Sequence, residues 1–206
     1  MKYDCPCLIF EQNNSEMSLF PQTTVLFLHG GDSNQESLRP LASYFKNQRL
    51  MLPQAPIQSG DSMFNWFHFT DDNLSIEEQS LEASIDAITP LLTDIRNANK
   101  DGRFIVGGIS QGAIFAYELF FRFPTYFEAL VALSGFAPQK RDYPSLNRKR
   151  AFIAHGIGDP LIPMERALGS VELLRELHVD VQFKKYIMGH EIMEEELQDA
   201  MQWMEQ

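Results

Sequence analysis

In the run Val106-Gly107-Gly108-Ile109-Ser110-Gln111-Gly112, a serine stands between two glycines where an apolar stretch ends and helical spacing begins. A strand, a sharp turn and a helix in that order would hold the serine hydroxyl above the strand end. The backbone there is too cramped for side chains two residues to either side. Gly108 and Gly112 carry none. A helix starting directly after Ser110 would also point unpaired N–H groups and its positive dipole end at any oxyanion formed nearby. One short stretch can therefore supply both a nucleophile and half of an oxyanion hole.

A serine hydroxyl is too weak an acid to attack an acyl carbon at neutral pH unless a base takes its proton and an acid orients that base. There are five histidines. His68 lies in an irregular aromatic stretch, His178 at a helix end, and His155 at a strand end behind an acid turn. His190 follows the last expected strand, in a loop that can fold back over a sheet. Asp159 follows the strand before it, so the chain order is serine, aspartate, histidine. Each member has a plainer reading: Asp159-Pro160 as a turn, His190 as a polar residue opening a helix. G-x-S-x-G itself arises by chance in roughly one chain in twenty of this length and glycine content. The combination in this order is what points to nucleophilic acyl chemistry.

The elements that would position these residues can be read from periodicity. Leu8-Ile9-Phe10 predicts a short edge strand followed by a polar turn through Glu16. Thr24-Val25-Leu26-Phe27-Leu28 has no polar alternation and predicts a strand buried on both faces, ending in the turn His29-Gly30-Gly31-Asp32-Ser33. Leu38, Leu41, Ala42 and Phe45 predict an amphipathic helix over residues 35–47, and Arg49 to Leu52 a strand that stops at Pro53. Ser75-Ile76-Glu77-Glu78 has the capping-box pattern. It opens a long helix in which Pro90 predicts a kink or break near Thr89. Strands are expected at Arg103 to Val106, Ala129 to Leu133, Ala151 to Ala154 and from Val181, with helices after Ser110, after Pro163 and at the C-terminus. The inner face of the helix after Pro163 is expected to carry Met164, Ala167, Leu168, Val171 and Leu174. Alternating strand and helix indicates a parallel sheet covered on both faces, with chemistry at the strands' C-terminal ends.

Residues 53–73 have no clear period and exceed an ordinary connection, yet they hold Met63, Phe64, Trp66, Phe67 and Phe69. Such a stretch either plugs the core or lines a site. The expectation is that Met63, Trp66 and Phe67, together with Phe136 and Leu161, bind the substrate's acyl group beside Ser110.

At 206 residues and 44% hydrophobic content, the chain is long enough for one well-buried core and is read as one domain, 1–206. A formal net charge of −11 repels polyanions, which argues against nucleic acid and anionic membrane surfaces as partners. No apolar run is long enough to span a bilayer and no secretory leader is evident, so a cytoplasmic protein is expected. Cys5 and Cys7 are spaced too tightly for an ordinary disulfide and have no metal-ligand companions, so they are read as reduced, structurally incidental thiols. Lys140-Arg141 and Arg148-Lys149-Arg150 read as a solvated basic face.

Four segments in order carry a resemblance. Leu28-His29-Gly30-Gly31-Asp32 is similar to a first HG loop and Gly108-Ile109-Ser110-Gln111-Gly112 to a G-x-S-Q-G elbow. His155-Gly156 through Asp159-Pro160-Leu161-Ile162-Pro163 is similar to an HG-x-x-D-x-x-V-P acid turn, and Tyr186 with Met188-Gly189-His190-Glu191 to a histidine segment. On these the chain resembles the phospholipase/carboxylesterase family of α/β-hydrolases, the group that includes bacterial carboxylesterases and acyl-protein thioesterases. The resemblance implies a three-layer α/β/α sandwich around a mostly parallel sheet. It implies Ser110 as nucleophile, His190 as general base and then acid, Asp159 as the residue holding the imidazolium, and the Gly31 and Gln111 N–H groups as oxyanion donors. Neither metal nor organic cofactor is implied. The chain departs from the pattern at Gly31, where thioesterases often carry a bulkier residue, and at Phe67-His68, where an acidic residue commonly follows the tryptophan-phenylalanine pair. The expected activity is hydrolysis of small carboxylic esters, with acyl thioesters or lysophospholipids as alternatives. A second copy of the chain is admitted as a partner. A dienelactone-hydrolase-like enzyme would need a cysteine at the elbow, and a silent ligand receptor would usually lack a triad residue.

Overall fold

The computed structural model describes residues 5–11, 23–98, 100–138 and 143–206. The polar turn expected after Glu11 and the Lys140-Arg141 half of the basic cluster lie outside them. Strands with no polar alternation become the interior of one seven-stranded sheet, β1(Cys7–Phe10), β2(Thr23–Leu28), β3(Gln48–Pro53), β6(Phe104–Ile109), β7(Ala129–Leu133), β8(Arg150–Gly156) and β9(Asp180–Tyr186). Their spatial order is β1-β3-β2-β6-β7-β8-β9, and every neighbouring pair is parallel except β1 on β3.

Side-chain alternation divides the core into two layers. Leu26, Leu28, Val106, Ala132 and Ile153 face the layer built with α1(Glu78–Ala98), α2(Gln111–Arg122) and α3(Met164–Glu176). Val25, Phe27, Ile105, Val131 and Phe152 face the opposite layer. It holds Leu38 and Leu41 from a 3-10 helix, Gln35–Ser43, and Leu197, Ala200 and Trp203 from α4(Glu194–Met204). Helices thus cover both faces of a mostly parallel sheet, as expected. The chain leaves β2 outward to β3 and later returns to lay β6 on β2's other side. A crevice therefore opens beyond the C-terminal ends of β2 and β6, where such sheets bind ligands.

Several local expectations are corrected. The segment after Asn34 is a 3-10 helix, not an α-helix, and Pro40, which has no N–H to donate, lies inside it. Residues 53–73 contain a hairpin, β4(Ile57–Gly60) and β5(Met63–Asn65), turned at Asp61-Ser62 with Ser62 at a φ of 59°. Ser75 does not cap α1. Ile76 instead bridges to Phe69, and the first turn closes from the Leu81 N–H to the Glu77 carbonyl. Nor does Pro90 break α1, which runs 21 residues. Thr89 Oγ1 donates to the Ile85 carbonyl in the turn that the proline disturbs. On α3, Leu168 is exposed and Leu173 takes a buried position. Among the described residues, no helix is long and apolar enough to cross a membrane.

Candidate active site

Ser110 sits between β6 and α2 at φ 54°, ψ −123°, a conformation that costs a serine on the order of 1–3 kcal/mol. Its N–H is held by the Leu133 carbonyl at 2.9 Å, and its own carbonyl accepts the Ile114 N–H at 3.1 Å. A Cβ on Gly108 would lie 2.6 Å from the Gly112 backbone, and one on Gly112 would strike the Leu28 and His29 carbonyl oxygens. The two glycines let β2, β6 and α2 meet closely enough to hold the turn. α2 begins at Gln111, so its first N–H groups face the strand ends with no intrahelical acceptor.

Asp159 follows β8 in a turn that folds onto its own carboxylate. Oδ1 accepts the Leu161 and Ile162 N–H groups, both at 2.9 Å, and Oδ2 accepts from His190 Nδ1 at 2.7 Å. The side chain has no exposed surface. Burial raises the carboxyl's pKa, but the Ile162 N–H, the His190 ring and the Leu161 N–H outweigh it, leaving the group below the ordinary carboxylate range. With Nδ1–H committed to Asp159, the lone pair on His190 Nε2 faces the Ser110 hydroxyl at 2.8 Å. The loop bearing His190 rests on the acid turn. The Gly158 N–H donates to the Met188 carbonyl at 3.0 Å, and a side chain on Gly156 would collide with that carbonyl. His155 stands behind the turn, its Nε2–H donating to the Ile162 carbonyl at 2.8 Å, with Asp159 Oδ2 at 3.5 Å.

On the β2 side, His29 is fully buried. The Ala55 N–H and the Gln54 amide both donate to its Nε2, at 3.1 and 3.0 Å, so Nδ1 carries the proton and donates to the Gly30 carbonyl at 2.8 Å. Burial pushes its pKa down to about 4, against the raising effect of the Gly30 bond. Gly30 lies against the elbow, where an added Cβ would be 3.5 Å from Ser110 Cβ. Asp32, at φ 48°, accepts from Ser59 Oγ at 2.7 Å and from Asn65 Nδ2 at 2.9 Å, which holds its carboxyl below the usual range.

The structure thus brings Ser110, His190 and Asp159 into one hydrogen-bonded chain, with Gly31 and Gln111 beside it. The residues expected to bind the acyl group divide. Met63 and Leu161 are exposed, Met63 on the hairpin and Leu161 in the Asp159 turn. Trp66 and Phe67 have no exposed surface, so the expectation that they line a groove is corrected: Trp66 stacks on Phe115 of α2, with ring centroids 4.8 Å apart. Phe136, 2% exposed beneath the Arg166 guanidinium 3.9 Å away, lines a cavity with Arg166, Gly169 and Leu173 of α3 whose lining does not include Ser110, so its expected place beside the nucleophile is corrected too. Asn65 and the Gln111 side chain were missed by sequence reasoning. For Asn65 the only signal was a polar residue set inside an aromatic run.

A parallel sheet with a strained serine at its switch point and the acid and histidine on later strand ends defines an α/β-hydrolase. The Phospholipase/Carboxylesterase family profile matches residues 15–206, and the chain belongs to that family. It is 31% identical to acyl-protein thioesterase 1 of Mycosarcoma maydis over 228 aligned positions, covering 93% of this chain and 94% of that one. It is 25% identical to the carboxylesterase SOBER1 of Arabidopsis thaliana, over 89% and 90% of the two chains. The crystal structure of the Bacillus cereus carboxylesterase superposes with a TM-score of 0.85 at 20% identity, covering 98% of this chain and 93% of that one.

Proposed function

We propose that this chain is a serine esterase that hydrolyses small carboxylic esters through an acyl-enzyme on Ser110. The observation that carries the reading is the continuous Asp159–His190–Ser110 chain of hydrogen bonds at 2.7 and 2.8 Å. In the first half-reaction, Ser110 Oγ forms a bond to the acyl carbon as its proton passes to His190 Nε2. The carbonyl π pair moves onto oxygen, and the Gly31 and Gln111 N–H groups receive that charge; one such donor is typically worth about 10²–10³ in turnover. Asp159 stabilises the imidazolium. When the tetrahedral adduct collapses, the C–O bond breaks and the leaving alkoxide takes the proton from His190. Water then repeats the sequence on the acyl-enzyme, and neither metal nor organic cofactor is required.

A thioester undergoes the same steps with C–S cleavage, and the 31% identity to an acyl-protein thioesterase favours it as the second reading. Helices on both faces of one sheet support reading 1–206 as one domain. The C-P-C spacing of Cys5 and Cys7, too tight for an ordinary disulfide, supports a reducing, cytoplasmic setting. The test is turnover of p-nitrophenyl esters of graded acyl length alongside one acyl thioester, with wild type and Ser110→Ala. Hydrolysis by wild type alone supports the proposal. Equal activity in the variant, or none in either protein, overturns it.

A further inference from the structure

The three residues that end β5 and follow it bond in two directions. Toward the loop after β2, Asn65 Oδ1 accepts the Asp32 N–H at 2.9 Å, Asn65 Nδ2 donates to Asp32 Oδ1 at 2.9 Å, and Trp66 Nε1 donates to the His29 carbonyl at 2.8 Å. Toward α2, the Trp66 N–H donates to Gln111 Oε1 at 2.8 Å and the Phe67 carbonyl accepts from Gln111 Nε2 at 3.0 Å. His29 and Asp32 flank Gly30-Gly31, so the loop is pinned on both sides of the Gly31 N–H. The gripped Gln111 side chain belongs to the residue whose N–H opens α2. All three parts converge at Gly31, where an added Cβ would lie 2.9 Å from Asn65 Oδ1 and 3.3 Å from the Gln111 amide. The segment has little room to move, since Trp66 is fully buried between Phe115 and His29, with ring centroids at 4.8 and 5.3 Å.

We infer that Asn65-Trp66 is a spacer that fixes the separation of the two oxyanion donors, with Asn65 and Trp66 as positioning residues for acyl transfer. The inference rests on the assignment of Gly31 and Gln111 proposed above. Oxyanion donors act when they sit 2.7–3.1 Å from the charge that develops, and a misplacement of about 1 Å can cost on the order of 10²-fold in rate. Ester binding in the ground state makes little use of that spacing. Loosening the spacer therefore lowers turnover and weakens tetrahedral adducts, while leaving KM nearly unchanged.

The test uses two variants of the full chain. Trp66→Phe keeps a ring against Phe115 but deletes the Nε1 donor, and Asn65→Ala deletes both bonds to Asp32. For each, kcat and KM are measured with a short-chain ester per active site counted by fluorophosphonate labelling. The inhibition constant of a trifluoromethyl ketone, which forms a serine-bound oxyanion, and the melting temperature are measured alongside. The expected result is a roughly 10- to 100-fold fall in kcat per labelled site, a matching rise in the ketone's inhibition constant and a KM within about twofold. A purely packing role gives a lower melting temperature and fewer labelled sites with kcat per site unchanged, and that result overturns the inference. If Trp66→Phe does not fold, Asn65→Ala decides alone. Wild-type protein that is not labelled at Ser110 would remove the esterase reading and this inference together. A labelled wild type with unchanged variants removes only the inference.

Discussion

Two neighbouring strands end in a serine with positive φ, Ser110 after β6 at 54° and Ser134 after β7 at 48°. Each has its N–H held at 2.9 Å by a carbonyl of the next strand in the sheet, Leu133 for Ser110 and Ala154 for Ser134. The backbones repeat, but the surroundings do not. Ser110 Oγ lies 2.8 Å from His190 Nε2, and a helix begins at the next residue. Ser134 is fully buried, its hydroxyl has no hydrogen-bond partner among the described residues, and Gly135-Phe136 follow it without a helix. The strained turn thus belongs to the way these strands end. What makes one serine reactive is a base within reach, an anion-stabilising helix end and access to substrate.

The largest expected difference between the two is kinetic. Ser110→Ala should lower ester turnover on the order of 10⁴-fold or more with an unchanged melting temperature, while Ser134→Ala retains activity within about twofold. Steady-state assays on both variants check this, and comparable losses would erase the distinction. Asp159→Asn comes next, because the amide cannot reproduce the carboxylate's bond to the His190 imidazolium. A fall of roughly 10³–10⁴ in kcat with a much smaller change in KM is expected.

Stability separates the sites further. Gly112→Ala would drive a methyl into the Leu28 and His29 carbonyls, which cannot rotate away, so denaturant titration should show a loss of about 2–4 kcal/mol. The pH dependence comes from His29, held neutral in the fold with a pKa of about 4 against about 6.5 unfolded. Between those values the unfolded chain binds more protons, so the contribution is complete above pH 6.5 and is lost as the pH falls toward 4. It amounts to up to about 3 kcal/mol. Glu196, fully buried with its pKa pushed up to about 7, acts in the opposite sense between 4.5 and 7. The readout is therefore the difference in slope between wild type and His29→Gln: with increasing pH in that window, the variant's stability should rise less, or fall more, than that of wild type. The smallest effect belongs to Ser134→Ala, which removes an unsatisfied buried hydroxyl and should leave stability unchanged or raise it by up to about 1 kcal/mol.

The residues that meet at the Ser110 turn were legible in the sequence because Ser110 and Asp159 each follow an apolar strand that gives way to a glycine-bearing turn and His190 follows the last strand, and a parallel sheet gathers such turns on one edge. The elements lost to sequence reasoning are those in which tertiary contacts override local rules. Pro90 stays inside α1 because that helix is anchored on the sheet by Ile85, Ile88, Leu91 and Leu92, all buried. Pro40, by contrast, lies in a segment that is a 3-10 helix. Trp66, Phe67 and Phe136 are apolar whether they line a groove or fill a core, so composition could not choose, and their surroundings decided. The grip of the Gln111 side chain on Trp66 and Phe67 spans 45 and 44 positions, beyond any local pattern.

The most direct test of the difference between the two serines is to label the native protein with a fluorophosphonate and map the modified residue by peptide mass spectrometry. A single adduct on Ser110, abolished by His190→Ala, is the predicted result. An adduct on Ser134, or labelling that survives in His190→Ala at the wild-type rate, would contradict the assignment of reactivity to the Ser110 turn.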